Sequence, residues 1–260
     1  MWLAPEHPGE GSGAGPRARR DVLSGYVVVV TGAGGAAGRA VVERLASRGA
    51  FVVAVDAEES RLGPLVESVL AAGGRCAGRA VDLVDEVATY SWASSLVDQC
   101  GHVDGLIHLV GGAGGMPDIE ADSSDWDWMQ ALVVRTLQNA SAALREQLQV
   151  SECGRLAVVS SLEAGRPTAR NAYYAAAQAA AHAWVFAVAD SFRGTRAAAT
   201  VVSLRGLLSP SILRTHPVSN LPGFVDVEVL ARCVEGLWSR SAQELNGARI
   251  RLDHETPLPG

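Results

Sequence analysis

The chain has 260 residues, of which 48% are hydrophobic and 19% are charged, and its formal net charge is −6. This length and composition predict a globular protein with a sizeable core and exclude a disordered or fibrous chain. The acidic balance gives no reason to expect nucleic-acid binding, and no apolar run is long enough to cross a membrane. The N-terminus lacks the charged-then-apolar order of a signal peptide, so we expect a cytoplasmic protein.

The residues that commonly bind metals follow no metal-binding pattern. The four cysteines form no C-x-x-C pair and the six histidines form no ligand-spaced cluster, which predicts reduced thiols and no metal site. All 22 basic residues are arginine, so the chain contains no lysine. Any reaction that needs a lysine amine is therefore excluded.

Two regions differ in pattern. Residues 1–20 are rich in Gly, Pro and Arg without an apolar period, and they predict a flexible tail. Residues 21–260 show no repeat or internal linker and are expected to form one domain that includes the substrate pocket.

In this domain, short β-branched runs alternate with longer amphipathic segments. The predicted strands are 26–30, 51–55, 76–81, 106–110, 156–159, 198–202 and 248–252. The predicted helices are 36–48, 59–72, 85–100, 124–150, 171–193 and 225–239. Apolar runs separated by helices are typical of a parallel sheet that is covered on both sides. We therefore predict an α/β fold, a Rossmann-type doubly wound parallel sheet of about seven strands with helices on both faces.

The first predicted strand runs into T-G-A-G-G-A-A-G, residues 31–38, and then into a helix. Gly32, Gly35 and Gly38 allow a sharp turn here and the close approach of a pyrophosphate to the helix N-terminus. A tight turn without a ligand would use the same glycines. The strand before, the helix after and a carboxylate closing the next strand favour dinucleotide binding.

That carboxylate is Asp56, 18 residues beyond Gly38. At this position it can hydrogen-bond the ribose hydroxyls of NAD, and it would repel the 2′-phosphate of NADP. The following Ala57 provides no cation for such a phosphate. We therefore expect NAD(H) to be preferred over NADP(H), with a solvated strand end as the alternative for Asp56.

With these features and a later Ser–Tyr pair, the chain resembles the short-chain dehydrogenase/reductase family over about residues 24–254. The resemblance implies that Asp82, in A-V-D-L, contacts the adenine of the cofactor. The position of the family's N-N-A-G motif departs from it and reads H-L-V-G, residues 108–111. The final Gly111 agrees with the motif, and the resemblance implies that it contacts the cofactor. Residues 112–118 and 207–222 are expected to wall the substrate pocket.

The same resemblance assigns the catalytic residues. Ser161 matches the family's catalytic serine. Tyr174 matches the catalytic tyrosine better than Tyr173 does, because it lies 13 residues beyond Ser161, the family's usual interval.

Two of the chain's departures from the family's pattern bear on proton transfer. Gln178 stands where the family has its catalytic lysine, and Val133 stands where it has a helix asparagine that helps a proton relay. The lysine's charge lowers the pKa of the tyrosine, which is about 10 for an unperturbed phenol. Gln178 lies four residues from Tyr174 on one helix face but carries no charge. A neutral phenol can donate a proton but accepts one poorly, so we expect carbonyl reduction to be favoured over alcohol oxidation.

The resemblance therefore implies NAD-linked reduction of a small-molecule carbonyl. Tyr174 would donate the proton, Ser161 would orient the substrate oxygen, and Gln178 would contact the cofactor. A homo-oligomer, dimer or tetramer, is expected through the two longest helices. Two alternatives on the same fold stay open: a dehydratase or isomerase, and a catalytically inactive binding or scaffold paralogue. His108 and His182 are expected to be packing residues.

Overall fold

The computed structural model describes residues 22–111, 119–215 and 221–253. The predicted tail, residues 1–20, lies outside the described residues. The predicted pocket wall at 112–118 also lies outside them, as does part of the second wall. No helix in the described part of the chain is long and apolar enough to cross a bilayer.

The centre of the fold is a parallel sheet. In the described residues the strands are β1 (Val27–Thr31), β2 (Phe51–Asp56), β3 (Arg75–Ala80), β4 (Gly105–His108), β5 (Arg155–Ser161), β6 (Ala198–Leu204), β7 (Leu207–Leu208), β8 (Val225–Asp226) and β9 (Arg249–Arg251). Seven of them form one sheet in the order β3-β2-β1-β4-β5-β6-β9, and every pairing is parallel. The predicted seven-stranded, Rossmann-type sheet is confirmed. The short pair of β7 and β8 was not predicted.

Helices cover both faces of this sheet. They are α1 (Ala36–Ser47), α2 (Glu59–Ala71), α3 (Glu86–Cys100), α4 (Ser123–Gln130), α5 (Thr136–Val150), α6 (Ala172–Ser191), α7 (Pro210–Thr215), α8 (Val227–Glu235) and α9 (Ala242–Leu245). One apolar core lies between the sheet and α3, α5 and α6, and a second lies between the sheet and α1, α2 and α8. The central strands contribute to both cores, which explains their unbroken apolar runs.

The predicted helix at 124–150 is interrupted. A π-helical segment, Ala131–Arg135, joins α4 to α5. The Thr136 hydroxyl donates to the carbonyl oxygen of Leu132 at 2.7 Å across this wide turn. Apolar periodicity does not predict such an insertion, because the buried residues continue on either side of it.

The strand order reverses beside β1. From β1 the chain winds outward to β3, and from β4 it winds the other way to β9. Thr31 at the end of β1 is level with Val55 of β2 and His108 of β4. A crevice therefore opens above the carboxyl ends of these strands, which is where doubly wound sheets bind ligands.

The third loop glycine has a packing role. A Cβ on Gly38 would lie 2.4 Å from the Ala33 carbonyl oxygen and 2.5 Å from its carbonyl carbon. The absence of a side chain thus lets α1 approach the main chain of the loop that precedes it.

Gly38→Ala is expected to lower the free energy of unfolding by about 1–3 kcal/mol, because only a shift of the loop or the helix relieves this overlap. Gly165→Ala is the matched control, since a Cβ there meets no atom within 4 Å. Urea unfolding of both variants measures the difference. Equal stabilities would show that the loop and the helix do not pack as described.

Candidate active site

A cavity of about 670 Å³ opens in the crevice at the carboxyl edge of the sheet. Its lining includes Gly32, Gly35, Ala36, Asp56, Asp82, Gly111, Ser160, Ser161, Tyr174 and Gln178. The structure thus brings every predicted catalytic residue to one cavity, together with every predicted cofactor residue except Gly38.

The glycine loop presents the N-terminus of α1 to the cavity. Gly32 has φ of +69°, and a Cβ on it would lie 3.0 Å from the main chain of Leu109. The helix begins at Ala36 after Gly35, with no side-chain cap and no acidic residue in its first turn. Its first N–H groups and its positive end are therefore available to an anion. A pyrophosphate fits this place.

Asp56 is held rigidly at the end of β2. Its Oδ2 accepts from the Gly34 amide at 2.9 Å, and its Oδ1 accepts from the Glu58 amide at 3.1 Å. From the sequence, position 57 was the place expected for a cation that binds a 2′-phosphate, and Ala57 provides none. The structure adds Arg61, the third residue of α2, which lines the cavity and pairs with the Glu58 carboxylate at 2.7 Å.

Asp82 also lines the cavity, two residues beyond the end of β3. Its Oδ1 accepts from the Val84 amide at 2.9 Å, which fixes the turn after β3. Val81 and Leu83 flank it in the cavity wall. Val81 and Leu83 can pack against a flat heteroaromatic ring, and the Asp82 carboxylate can accept a hydrogen bond from it.

Ser161 is the last residue of β5 and is buried. Its Oγ accepts from the Glu163 amide at 3.1 Å. Because that contact uses a lone pair, the hydroxyl proton remains available for donation. Ser161 can therefore donate a hydrogen bond to an oxygen in the cavity.

The two adjacent tyrosines point in different directions. The Tyr173 hydroxyl donates to the Ala121 carbonyl at 2.9 Å, and its ring packs edge-on against Trp126 with centroids 5.7 Å apart. Tyr174 is buried and lines the cavity with Ser161. The geometry thus places Tyr174, and not Tyr173, at the site.

The surroundings of Tyr174 keep it neutral. Burial raises the pKa of its hydroxyl above the usual value, while hydrogen-bonding interactions with Ser161 and Gln178 lower it and the charge of Glu163 raises it. Among the described residues, no cation contributes to lowering this pKa. Tyr174 is therefore a phenol, not a phenolate, at neutral pH.

Gln178 belongs to a hydrogen-bonded cluster that begins in the cavity wall. Its Oε1 accepts from the Ser160 hydroxyl at 2.7 Å, and the Ser160 oxygen lies 2.6 Å from Nε2 of His182. All three side chains are buried. The expectation that His182 only packs was incomplete, since its ring also joins this polar cluster.

Gly111 and Val133 lie next to Gln178. Gly111 has φ of +127°, and a Cβ on it would lie 3.6 Å from Val133 Cγ2 and 3.8 Å from Gln178 Nε2. Val133 sits in the π-helical segment, where its apolar side chain supplies no group for a proton relay.

His108 is a core residue, as expected. The Thr136 hydroxyl gives its proton to Leu132, so His108 Nε2–H must donate to Thr136 Oγ1, at 3.3 Å. Its Nδ1 then accepts from the Thr31 hydroxyl at 2.8 Å. Burial lowers the pKa of His108 to about 3, so the ring is neutral. It is satisfied on both nitrogens and is not available for catalysis.

Ser160 and Arg61 are site residues that were not predicted from the sequence. Ser160 is one of two adjacent serines, and nothing in the local sequence shows that it bonds to a glutamine 18 residues later. Arg61 lies near Asp56 because α2 begins shortly after the end of β2, and this was not considered from the sequence. A positional argument based on the helix repeat after β2 would have found it.

The comparisons with known proteins agree with this architecture. A family model described as short chain dehydrogenase matches residues 26–212, more than half of the chain. A short chain dehydrogenase of Pseudocercospora fijiensis is 30% identical over 175 residues, which are 66% of this chain and 57% of the relative. The 2,3-dihydro-2,3-dihydroxybenzoate dehydrogenase of Bacillus subtilis is 29% identical over 161 residues, 61% of either chain. The chain therefore spans about three fifths of the length of these relatives.

The solved structures include a metagenomic short-chain oxidoreductase in complex with NADP. It is 25% identical, has a TM-score of 0.72, and the match covers 88% of this chain and 99% of that one. The family match extends from β1 into α7 and includes the glycine loop, Ser161 and Tyr174. The chain belongs to the short-chain dehydrogenase family, a family of oxidoreductases.

Proposed function

We propose that the protein reduces the carbonyl group of a small molecule, using NADH. The observation that carries the proposal is the pair of Ser161 and Tyr174 at one cavity, both able to donate a proton or hydrogen bond to the same oxygen. The substrate end of the cavity is lined by Leu207, Ile212 and Phe224. This lining favours an apolar carbonyl compound.

The residues of the chain fit a nicotinamide dinucleotide. The N-terminus of α1 would hold the pyrophosphate, and Asp56 would hold the adenosine ribose. Asp82 and its apolar neighbours would flank the adenine. Gln178, beside Gly111, would contact the other ribose. When bound, the reduced nicotinamide supplies the hydride that the carbonyl carbon accepts.

The side chains would supply the rest of the chemistry. Ser161 donates a hydrogen bond to the carbonyl oxygen and polarises it. Tyr174 donates its proton to that oxygen as negative charge develops there. The reverse reaction needs Tyr174 as a base, which its raised pKa opposes. The proposed activity is therefore reduction in preference to oxidation.

The alternatives are less well supported by the same geometry. A dehydratase or isomerase requires a base, but Tyr174 is held neutral and His108 is sealed in the core. An inactive scaffold would not need both Ser161 and Tyr174 facing the cavity that the glycine loop also lines. We therefore propose the redox activity as the function of this site.

Tyr174→Phe is expected to lower the reduction rate by at least about 100-fold, because it removes the proton donor. Tyr173→Phe is the matched control, since its hydroxyl bonds to Ala121 away from the cavity. Consumption of NADH with a panel of apolar ketones and aldehydes measures both. Unchanged turnover in Tyr174→Phe would show that another group is the acid.

Asp56→Asn tests the cofactor preference. The amide keeps an oxygen that can accept from the Gly34 amide, but it removes the charge that repels a 2′-phosphate. The wild type should bind NADH more tightly than NADPH, and the variant should shift this ratio toward NADPH by about tenfold or more. Dissociation constants for both cofactors measure the ratio. If the wild type binds NADPH more tightly, Arg61 dominates over Asp56 and the proposed preference is wrong.

A further inference from the structure

We propose that His182 and Ser160 are positioning residues that orient the Gln178 amide, so that Gln178 donates to Tyr174 and leaves the Tyr174 proton free for the substrate. This inference rests on the proposed reduction only for its kinetic consequence. The arrangement of hydrogen bonds is a property of the free protein.

The direction of each bond follows from proton counting. The Ser160 hydroxyl has one proton, and it is donated to Gln178 Oε1 at 2.7 Å. Ser160 Oγ lies 2.6 Å from His182 Nε2 and has no proton left for this hydrogen bond. The Nε2–H group of His182 must therefore be the donor. His182 is therefore protonated on Nε2.

His182 is suited to this role in its neutral form. Burial lowers its pKa, and the positive charge of Arg249 lowers it further. Arg249 faces His182 from β9, Ser160 faces it from β5, and Gln178 lies one turn earlier on α6. A neutral ring with the proton on Nε2 donates to Ser160 and to nothing else through that nitrogen.

The hydrogen bond at Gln178 Oε1 fixes the orientation of the NH₂ group at the other end of the amide. With Oε1 bound to Ser160, the NH₂ group is left for other partners, and its nitrogen would lie 3.8 Å from a Cβ on Gly111. A hydrogen-bonding interaction between Gln178 and Tyr174 contributes to lowering the pKa of Tyr174. Because Oε1 of Gln178 already accepts from Ser160, we assign its NH₂ group as the donor to the phenol oxygen. The proton of Tyr174 is then not consumed by Gln178.

An amide turned by half a rotation would have the opposite effect. Its Oε1 would accept the Tyr174 proton and hold it away from the substrate. The orientation of a buried amide is set by the hydrogen bonds around it, because a buried donor or acceptor without a partner destabilises the folded protein. Ser160 and His182 thus act on the proton donor through Gln178.

The first arm of the test is independent of any reaction. Nitrogen NMR of ¹⁵N-histidine-labelled protein at neutral pH reports which ring nitrogen carries the proton. The signal of His182 is identified by its loss in His182→Gln and by its displacement in Ser160→Ala. The proposal expects Nε2 protonated and Nδ1 bare. A His182 protonated on Nδ1 alone would overturn it.

The second arm measures turnover in a double-mutant cycle. Ser160→Ala should lower the reduction kcat about tenfold, while Ser160→Thr, which keeps the hydroxyl, should restore most of it. In a Gln178→Leu background, Ser160→Ala should have no further effect, because the amide it positions is gone. Ser203→Ala is the matched control, a buried serine level with Ser160 on the neighbouring strand.

Equal losses from Ser160→Ala in both backgrounds would overturn the positioning role, since a purely structural effect does not depend on Gln178. If the wild type reduces no carbonyl at all, the proposed function is wrong. The NMR arm still decides whether the hydrogen-bonded chain exists.

Discussion

A crevice forms because β1 and β4 are neighbours in the sheet while the chain leaves them in opposite directions. Most groups of the candidate site lie at or just after the end of a strand, or in the first two turns of a helix. The glycine loop follows β1, Asp56 ends β2, and Ser161 ends β5. Parallel pairing keeps these ends level, so residues that are more than 100 positions apart share one cavity. The close approach of α1 to the loop, which Gly38 permits, aims the helix N-terminus into it.

The proposed proton transfer at this site depends on Tyr174 being a neutral phenol. A cation beside a tyrosine makes it a base, whereas burial without a cation keeps it an acid. Tyr174 is buried and has the neutral amide of Gln178 beside it. Its pKa is raised by burial and by the charge of Glu163. The neighbouring hydrogen-bonded cluster is also uncharged, because His182, Ser160 and Gln178 interact as neutral groups. The geometry therefore suits proton donation better than proton abstraction.

Much of this could be predicted from the sequence, and the reason is periodicity. Buried strands and amphipathic helices leave local patterns, so the seven strands and six long helical segments were predicted close to their observed bounds. The interval from Ser161 to Tyr174 favours Tyr174, and Tyr174 lines the cavity while the Tyr173 hydroxyl bonds to Ala121. The loop from Gly32 and the carboxylate of Asp56 were found from their position after strands.

The remaining features depend on contacts between distant segments, which a single sequence does not display. The π-helical turn at Ala131–Arg135 leaves the apolar pattern intact, and the pair of β7 and β8 is too short to show one. Ser160 acquires its role only when α6 packs on β5. The direction of the hydrogen bonds in that cluster follows from proton counting, which needs coordinates.

The most direct test of the account is the pH dependence of both reaction directions, in the wild type and in Gln178→Lys. If Tyr174 is a neutral acid with a raised pKa, kcat/KM for reduction should be constant over about pH 6 to 9. Over the same range, kcat/KM for oxidation should rise about tenfold per pH unit, because it follows the small fraction of phenolate. The lysine should make the oxidation profile level off at a lower pH. A wild-type reduction rate that falls through a pKa near 7 would contradict the account, because Tyr174 would then already be activated as a base.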